Sequence, residues 1–332
     1  MKKKEIIYLI ILVLVIAVGV IRYKTKVYTA RKSKILMDTI VEISINSKDK
    51  NINDTMEKTI AFIKKLDNKF SYYEEDSYLN QLNIRNKTKI DQDFYELLQL
   101  SKKIYIESDS LFDVSIAPLV DLWDFSRKEL PNPDSLEESL RKVNYSRIVF
   151  DKDSINIPSK MKLNFGALAK GFIIDKTIQF LKRNDVDFGY INAGGDIRFF
   201  GYDRKIKLGI QHPRNKNKVI STLSIKNQAI VTSGDYERFF EIDGKRYHHI
   251  INPKTGYPVK NTISVTVLAP TAVLADALST AVFLLKPEEG INLIKTYPHT
   301  EAIIYYKTNN EIISLKTMGI KDKLIKEKSD EK

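Results

Sequence analysis

The stretch TAVLADALSTAVFLL (271–285) reads as a helix that is apolar on every face, with one carboxylate, Asp276, near its middle. Taking a carboxylate into such surroundings is costly unless it is paired, caps free backbone or binds a cation. Thr280 lies four residues on and shares its face, and Ser279 stands beside it, so one carboxylate and two hydroxyls can converge. Hard oxygen donors with room for substrate phosphate oxygens suit Mg2+. The rival reading is structural: an Asp favoured by the helix dipole, with Ser279 and Thr280 bonded back to carbonyls.

The chain has 332 residues, 43% hydrophobic and 29% charged, enough for one large two-lobed domain or two ordinary ones with real cores. It contains no cysteine, which excludes disulfides, thiolate metal sites, cysteine nucleophiles and a lipobox. The net charge of +12 invites a nucleic-acid reading, but its distribution argues against one. Lys2, Lys3, Lys4, Arg22, Lys24, Lys26, Arg31, Lys32 and Lys34 stand against Glu5 alone in residues 1–34. The remainder carries only about +4, an ordinary excess that can attract an anionic nucleotide.

Lys2, Lys3 and Lys4 precede an uncharged run, 6–21, made almost wholly of Ile, Leu and Val. As helix it reaches roughly 24 Å, and flanking Lys4, Tyr8, Arg22 and Tyr23 can snorkel to make up the bilayer core. No small-x-small cleavage site follows, so an uncleaved anchor is favoured over a signal peptide. These features predict a cytoplasmic tail (1–5), a transmembrane anchor (6–22), a basic linker (23–34), one domain (35–318) and a solvated tail (319–332).

Within the domain, Val41, Ile43 and Ile45 alternate with polar residues as in a half-buried strand. Met56, Ile60, Ile63, Leu66 and Phe70 recur at helical spacing, and a second helix is expected over about 92–108. Pro118 breaks the apolar segment 111–125, and 131–135 reads as a loop. Residues 162–201 read as strand, helix from about Ala167, strand, Gly194-Gly195 and strand, with Gly171, Ile174, Ile178 and Leu181 on the buried stripe of the helix. This order of elements predicts a mixed α/β or α+β fold.

Three other constellations could carry chemistry. NFGALAKGF (164–172) places glycines and Lys170 at a helix start, a weak phosphate cue that lacks P-loop spacing. Gly171 costs about 1 kcal/mol in a helix interior, so a close approach by ligand or by packed backbone is implied there. YINAGGDIRFFG (190–201) pairs glycines in either a tight turn or a close approach to ligand. Asp243-Gly244 is a strong type I′ hairpin signal. It pairs Arg238 with His249, Phe239 with His248 and Phe240 with Tyr247, so the two imidazoles face opposite sides. A cation opposite His249 keeps its ring neutral, as a general base requires, although a plain surface histidine fits the local sequence equally well.

Taken together, the segments MDT (37–39), FSYYEEDSYLNQLN (70–83), FDVSIAPLVDLW (112–123), NFGALAKGFIID (164–175), INAGGDIRFFG (191–201), TSGDYERFFEIDGKRYHHIINPKTGYPV (232–259) and SVTVLAPTAVLADALSTAVF (264–283) resemble the ApbE family of FAD:protein FMN transferases. The resemblance covers about residues 35–290 and implies T-fold-like lobes with FAD in the cleft between them. It implies FAD contacts from Met37, Tyr73, Leu111, Phe112, Asp113, Asn164, Lys170 and Ile251, with Tyr73 stacking on a flavin ring. It also implies Mg2+ held by Asp276 and Thr280, with Ser279 and the Ala167 carbonyl completing the protein side. Similar proteins often carry Asp where Asn164 stands and usually where Asn252 stands, and Ser279 replaces a second carboxylate found in some members.

The resemblance further implies Mg2+-dependent transfer of FMN from FAD to a threonine of an exported or membrane redox protein, releasing AMP. His249 is then the candidate base and Asp235 its helper. The expected location is the cell membrane, with the catalytic domain outside the cytoplasm and no nucleic-acid partner. Two rivals stay open: an FAD pyrophosphatase giving FMN and AMP, and a non-catalytic flavin-binding protein.

Overall fold

A computed structural model describes residues 4, 5, 7, 8, 10–16, 26–308 and 311–327. Val41, Ile43 and Ile45 are buried along one face of the strand Thr39–Ser47, as a period of two requires. This strand is second in an eight-stranded sheet ordered Tyr28–Leu36, Thr39–Ser47, Phe188–Ala193, Asp196–Phe200, Ala229–Gly234, Thr262–Ala269, Glu301–Thr308 and Glu311–Lys316. All neighbours pair antiparallel. With the helices Ile52–Phe70, Ala169–Arg183 and Ala272–Leu284 gathered against one face, the fold is mixed α/β of the α+β kind, within the expected class.

These three helices share one core with the inward residues of this sheet: Ile174, Ile178 and Leu278 from the helices meet Ile43, Val265 and Val267 from the strands. Ala272–Leu284 packs against Ala169–Arg183, the strands Ala229–Gly234 and Thr262–Ala269, and the helix Pro287–Lys295. Enclosure by several elements is what a helix apolar on every face demands. The strand Thr262–Ala269 is buried along its whole length for the same reason: Val265 and Val267 point under the helices, and Leu268 points to the other face.

That other face is covered by a three-stranded sheet of Ile206–His212, Asn215–Ile225 and Leu324–Glu327. Leu268, Ile303 and Phe199 meet Ile210, Leu223 and Ile320 there in a second apolar cluster. A third, smaller cluster of Leu119, Trp123, Leu136, Phe240 and Ile251 fixes the outer hairpin, with the Trp123 indole N–H donating to the Gly256 carbonyl at 2.9 Å.

Two expectations change. The basic segment 23–34 is not a linker throughout, because the edge strand Tyr28–Leu36 begins within it. Only Ala30 of that strand is buried, so its alternation is hidden beneath Arg31, Lys32 and Lys34, charges that also discourage edge-to-edge association. The tail 319–332 is not wholly solvated: the helix Met318–Lys323 buries Ile320 completely, and Leu324–Glu327 pairs with Asn215–Ile225. The expected anchor 6–22 and tail 1–5 lie partly outside the described residues. Among the described residues no helix is long and apolar enough to cross a membrane.

Candidate active site

Two helices meet at Gly171. A Cβ there would stand 2.7 Å from Val273 Cα and would overlap the Ala272 carbonyl, so the glycine serves a close approach of packed backbone. The contact lets each helix satisfy the free N–H groups of the other. Asp175, from Ala169–Arg183, accepts hydrogen bonds from the Ala272 and Val273 N–H groups, each at 2.9 Å. Asp276, from Ala272–Leu284, accepts one from the Gly171 N–H at 2.9 Å. Arg198 pairs with Asp175 from the neighbouring strand.

Asp276 is 4% exposed. Burial pushes its carboxyl up to about 7; the nearby Lys170 ammonium opposes that shift, and Asp196 reinforces it. Lys170 pairs with Asp196, which is itself buried. Burial disfavours the Lys170 charge, but Asp196 and Asp276 outweigh it and hold the ammonium above its ordinary range. Asp175 is raised by burial against the pull of Arg198 and its two backbone donors.

Asp276, Lys170 and Asp196 line a cleft of about 590 Å³, within the size range of small-molecule sites. Met37, Tyr73, Leu111, Phe112, Asp113, Asn164, Ala167, Lys170, His249, Ile251, Asp276 and Thr280 all line it, as do Asp196, Ser233, Glu237 and Arg238. Met37 adopts φ 54° in the turn after Tyr28–Leu36, and its N–H donates to Asp67 Oδ2 at 2.7 Å. Tyr73 is 66% exposed at the mouth, with its ring edge against Tyr72. The Asp113 carboxylate is engaged within its own loop, accepting from the Ser115 N–H and hydroxyl at 2.7 and 2.6 Å and from the Tyr145 N–H at 2.9 Å.

Arg238 and His249, which line the cleft, flank the hairpin of Phe239–Ile242 and Lys245–His248, which has the expected register. Asp243 and Gly244 both have positive φ, 50° and 70°, as a type I′ turn requires. The His249 N–H donates to the Arg238 carbonyl at 3.0 Å. His248 turns away from the cleft, its Nε2 at 2.9 Å from the Val259 carbonyl and its ring edge-on to Phe283. His249 turns toward it. Burial lowers the His249 ring to about 4, helped by His248, Arg238 and Lys170, so it is neutral at neutral pH. Its Nδ1 is buried without a hydrogen-bond partner among the described residues.

Asp235 and Ser279 do not line the cleft. Asp235 accepts a two-pronged contact from Arg214 at 2.6 and 2.8 Å and a further one from Arg246 at 3.4 Å. This pinning makes it a brace between hairpins. Ser279 is fully buried; its hydroxyl donates to the Asp276 carbonyl at 2.8 Å and lies 2.7 Å from Ser233 Oγ. Asn164 and Asn252 act as turn acceptors, Oδ1 receiving the Gly166 N–H at 2.7 Å and the Lys254 N–H at 2.8 Å. An amide oxygen performs that task as well as a carboxylate would.

Sequence reading missed Asp196, Asp175, Asp67 and Ser233. Asp196 had a signal, an acid directly after the Gly194-Gly195 turn. Asp175 had none, because its partners lie 97 and 98 residues away. No group of three or more His, Cys, Asp or Glu side chains is gathered for a metal among the described residues. The donors that do face the cleft, the Asp276 carboxylate and the Thr280 hydroxyl with Ala167 beside them, are hard oxygen-bearing groups. They fit an ion such as Mg2+, which takes few protein ligands and fills its shell with water and substrate phosphate.

The ApbE family profile matches residues 37–304. The FAD:protein FMN transferase of Treponema pallidum (strain Nichols) is 29% identical over 311 residues, covering 85% of this chain and 86% of that protein. The FAD:protein FMN transferase of Klebsiella pneumoniae (strain 342) is 29% identical over 292 residues, covering 85% and 90%. Among solved structures, the ApbE protein of Thermotoga maritima superposes with a TM-score of 0.80 at 28% identity, covering 89% of this chain and 98% of that one.

Proposed function

Since the chain belongs to the ApbE family, we propose that it is a flavin transferase that moves the FMN moiety of FAD, with Mg2+, onto a threonine hydroxyl of a redox protein and releases AMP. The observation that carries this reading is the cleft itself, a space of about 590 Å³ that Asp276, Thr280, Lys170 and His249 all line. We read the antiparallel sheet with helices on one face as the T-fold-like frame of that cleft.

In the proposed reaction the threonine oxygen bonds to the FMN-side phosphorus, the bond from that phosphorus to the bridging oxygen breaks, and AMP leaves with that oxygen. The His249 imidazole takes the hydroxyl proton, and a ring that starts neutral is able to do so. Lys170 puts a positive charge beside the pyrophosphate, and Asp196 holds that ammonium in place. Mg2+ held by Asp276, Thr280 and the Ala167 carbonyl would supply further neutralisation of the phosphates and of the leaving group. Tyr73, exposed at the mouth, offers a face for the flavin ring.

We place the enzyme at the membrane, facing outward, on the proposed anchor 6–22. Its support is the uncharged run 6–21 and the exposure of Ile7, Ile10, Ile11, Leu12, Leu14 and Ile16, apolar side chains without cover.

The test is to incubate the full chain with FAD, Mg2+ and a threonine-containing acceptor protein and to measure nucleotides and intact acceptor mass. AMP with an FMN-sized gain in acceptor mass is expected. AMP with free FMN would mean hydrolysis instead, and bound FAD without AMP would leave only a flavin-binding protein.

A further inference from the structure

The hydroxyl groups behind Asp276 have their protons assigned by their partners. A backbone carbonyl can only accept, so the bond from Ser279 Oγ to the Asp276 carbonyl at 2.8 Å uses the one proton Ser279 owns. Ser279 and Ser233 hydroxyls lie 2.7 Å apart, and with Ser279 committed, Ser233 must be the donor between them. Ser233 lines the cleft. It therefore turns its proton inward and presents only lone pairs outward, 3.5 Å from Thr280 Oγ1.

A hydroxyl oxygen locked as an acceptor in the cleft that the buried Asp276 carboxylate also lines suits a cation. Adjacent oxygens on an octahedral Mg2+ with bonds of ~2.1 Å lie about 3 Å apart. Ser233 and Thr280 come to that spacing with about half an ångström of side-chain movement. We propose that Ser233, its proton held by Ser279, supplies a further oxygen ligand to the cation bound by Asp276 and Thr280. The inference rests on the magnesium reading above. It gives Ser279 a positioning role: the serine acts from behind the site by fixing the direction of the Ser233 hydroxyl.

Mn2+ binding to the full chain without FAD, followed through the resonance signal of the free ion, reads ligation independently of catalysis. The wild-type chain is expected to bind, and Asp276→Ala to lose at least a hundredfold. Ser233→Ala should lose about tenfold, and Ser279→Ala about threefold, because its loss frees the Ser233 proton. Ser233→Cys adds a direct readout, since the chain has no other thiol. Cd2+ should then give a thiolate-to-metal absorption band that is absent from the wild type and lost again when Asp276→Ala is added. Wild-type Mn2+ affinity in Ser233→Ala, with no Cd2+ band in Ser233→Cys, would overturn the Ser233 assignment and leave the magnesium reading standing. No Mn2+ binding by the wild-type chain, or binding untouched by Asp276→Ala, would overturn both. A raised KM for the acceptor at unchanged Mn2+ affinity would place Ser233 against the acceptor and also overturn the assignment.

Discussion

At the scale of single residues, His249 and Asp276 show opposite uses of burial. Desolvation disfavours the charged form of each, which lowers the histidine and raises the aspartate. For His249 the folded value of about 4 lies below the ~6.5 of an unfolded chain. Its contribution to stability is thus complete above pH 6.5 and is lost as pH falls from there through 4. His249→Asn should flatten that part of a plot of Tm against pH. The same substitution should lower kcat by roughly 10²- to 10⁴-fold, the usual range for a general base, with the FAD Kd held within about twofold. In kcat/KM, which reports the free enzyme, the acid limb should fall near pH 4. In kcat it should lie higher, because the bound pyrophosphate anion favours the imidazolium. Asp276→Asn keeps an oxygen for the Gly171 N–H and removes only the charge. Tm should therefore hold while Mg2+ affinity, measured by calorimetry, falls at least a hundredfold.

At the scale of elements, the paired helices Ala169–Arg183 and Ala272–Leu284 make the site, and glycine makes the pairing. Gly171→Ala gains about 1 kcal/mol of helix propensity. The new methyl would meet backbone at Val273, which cannot yield as a side-chain end can. A net loss of about 2 kcal/mol is expected in urea denaturation, in the range of overpacked cores, with weaker Mg2+ binding because Asp276 is carried on the displaced helix. Asp175→Ala should cost more, about 3 to 5 kcal/mol, since it removes both hydrogen bonds that cap the helix Ala272–Leu284 and strands the mostly buried Arg198. Both helices were legible from their apolar spacing, and so was the hairpin register, because Asp243-Gly244 fixes the turn type and the turn fixes every pairing after it. The reciprocal capping was not. Sequence shows that Asp276 needs a partner but not which backbone comes within reach, and Gly171 shows only that something approaches. The acid at 175 sits among Ile173, Ile174 and Ile178, and its use depends on a crossing between segments about a hundred residues apart.

At the scale of the whole molecule, the chain's last described segment stabilises the sheet from the side away from the cleft. The strand Ala229–Gly234 carries Val231 and Ser233 toward the cleft, while Ile230 enters the second cluster with Leu268, Leu223 and Ile320. One sheet thus has a chemical face and a mainly apolar one, relieved by the hydroxyl pairs Thr232–Thr266 and Ser221–Tyr305. A charged, Lys-rich sequence after Met318 looks solvated because only Ile320 and Leu324 of that segment join the apolar cluster, and two such residues in a short stretch leave no readable period. The edge strand Tyr28–Leu36 was hidden for a related reason, since its hydrogen bonds run to one neighbour and only one of its side chains needs burial. Ile320 is fully buried, so Ile320→Ala removes methyl groups that have no water to return to and should cost about 3 kcal/mol. Because its neighbours are Ile210, Leu223 and Leu268 rather than cleft residues, FAD and Mn2+ affinities should stay within about twofold at temperatures well below Tm. Deleting residues 318–332 removes both Ile320 and Leu324 from the cluster and should lower Tm further. If that deletion cuts Mn2+ affinity as deeply as Ser233→Ala does while the chain is still folded, the two faces are coupled through Ala229–Gly234, and the separation argued here between a stabilising face and a chemical face fails.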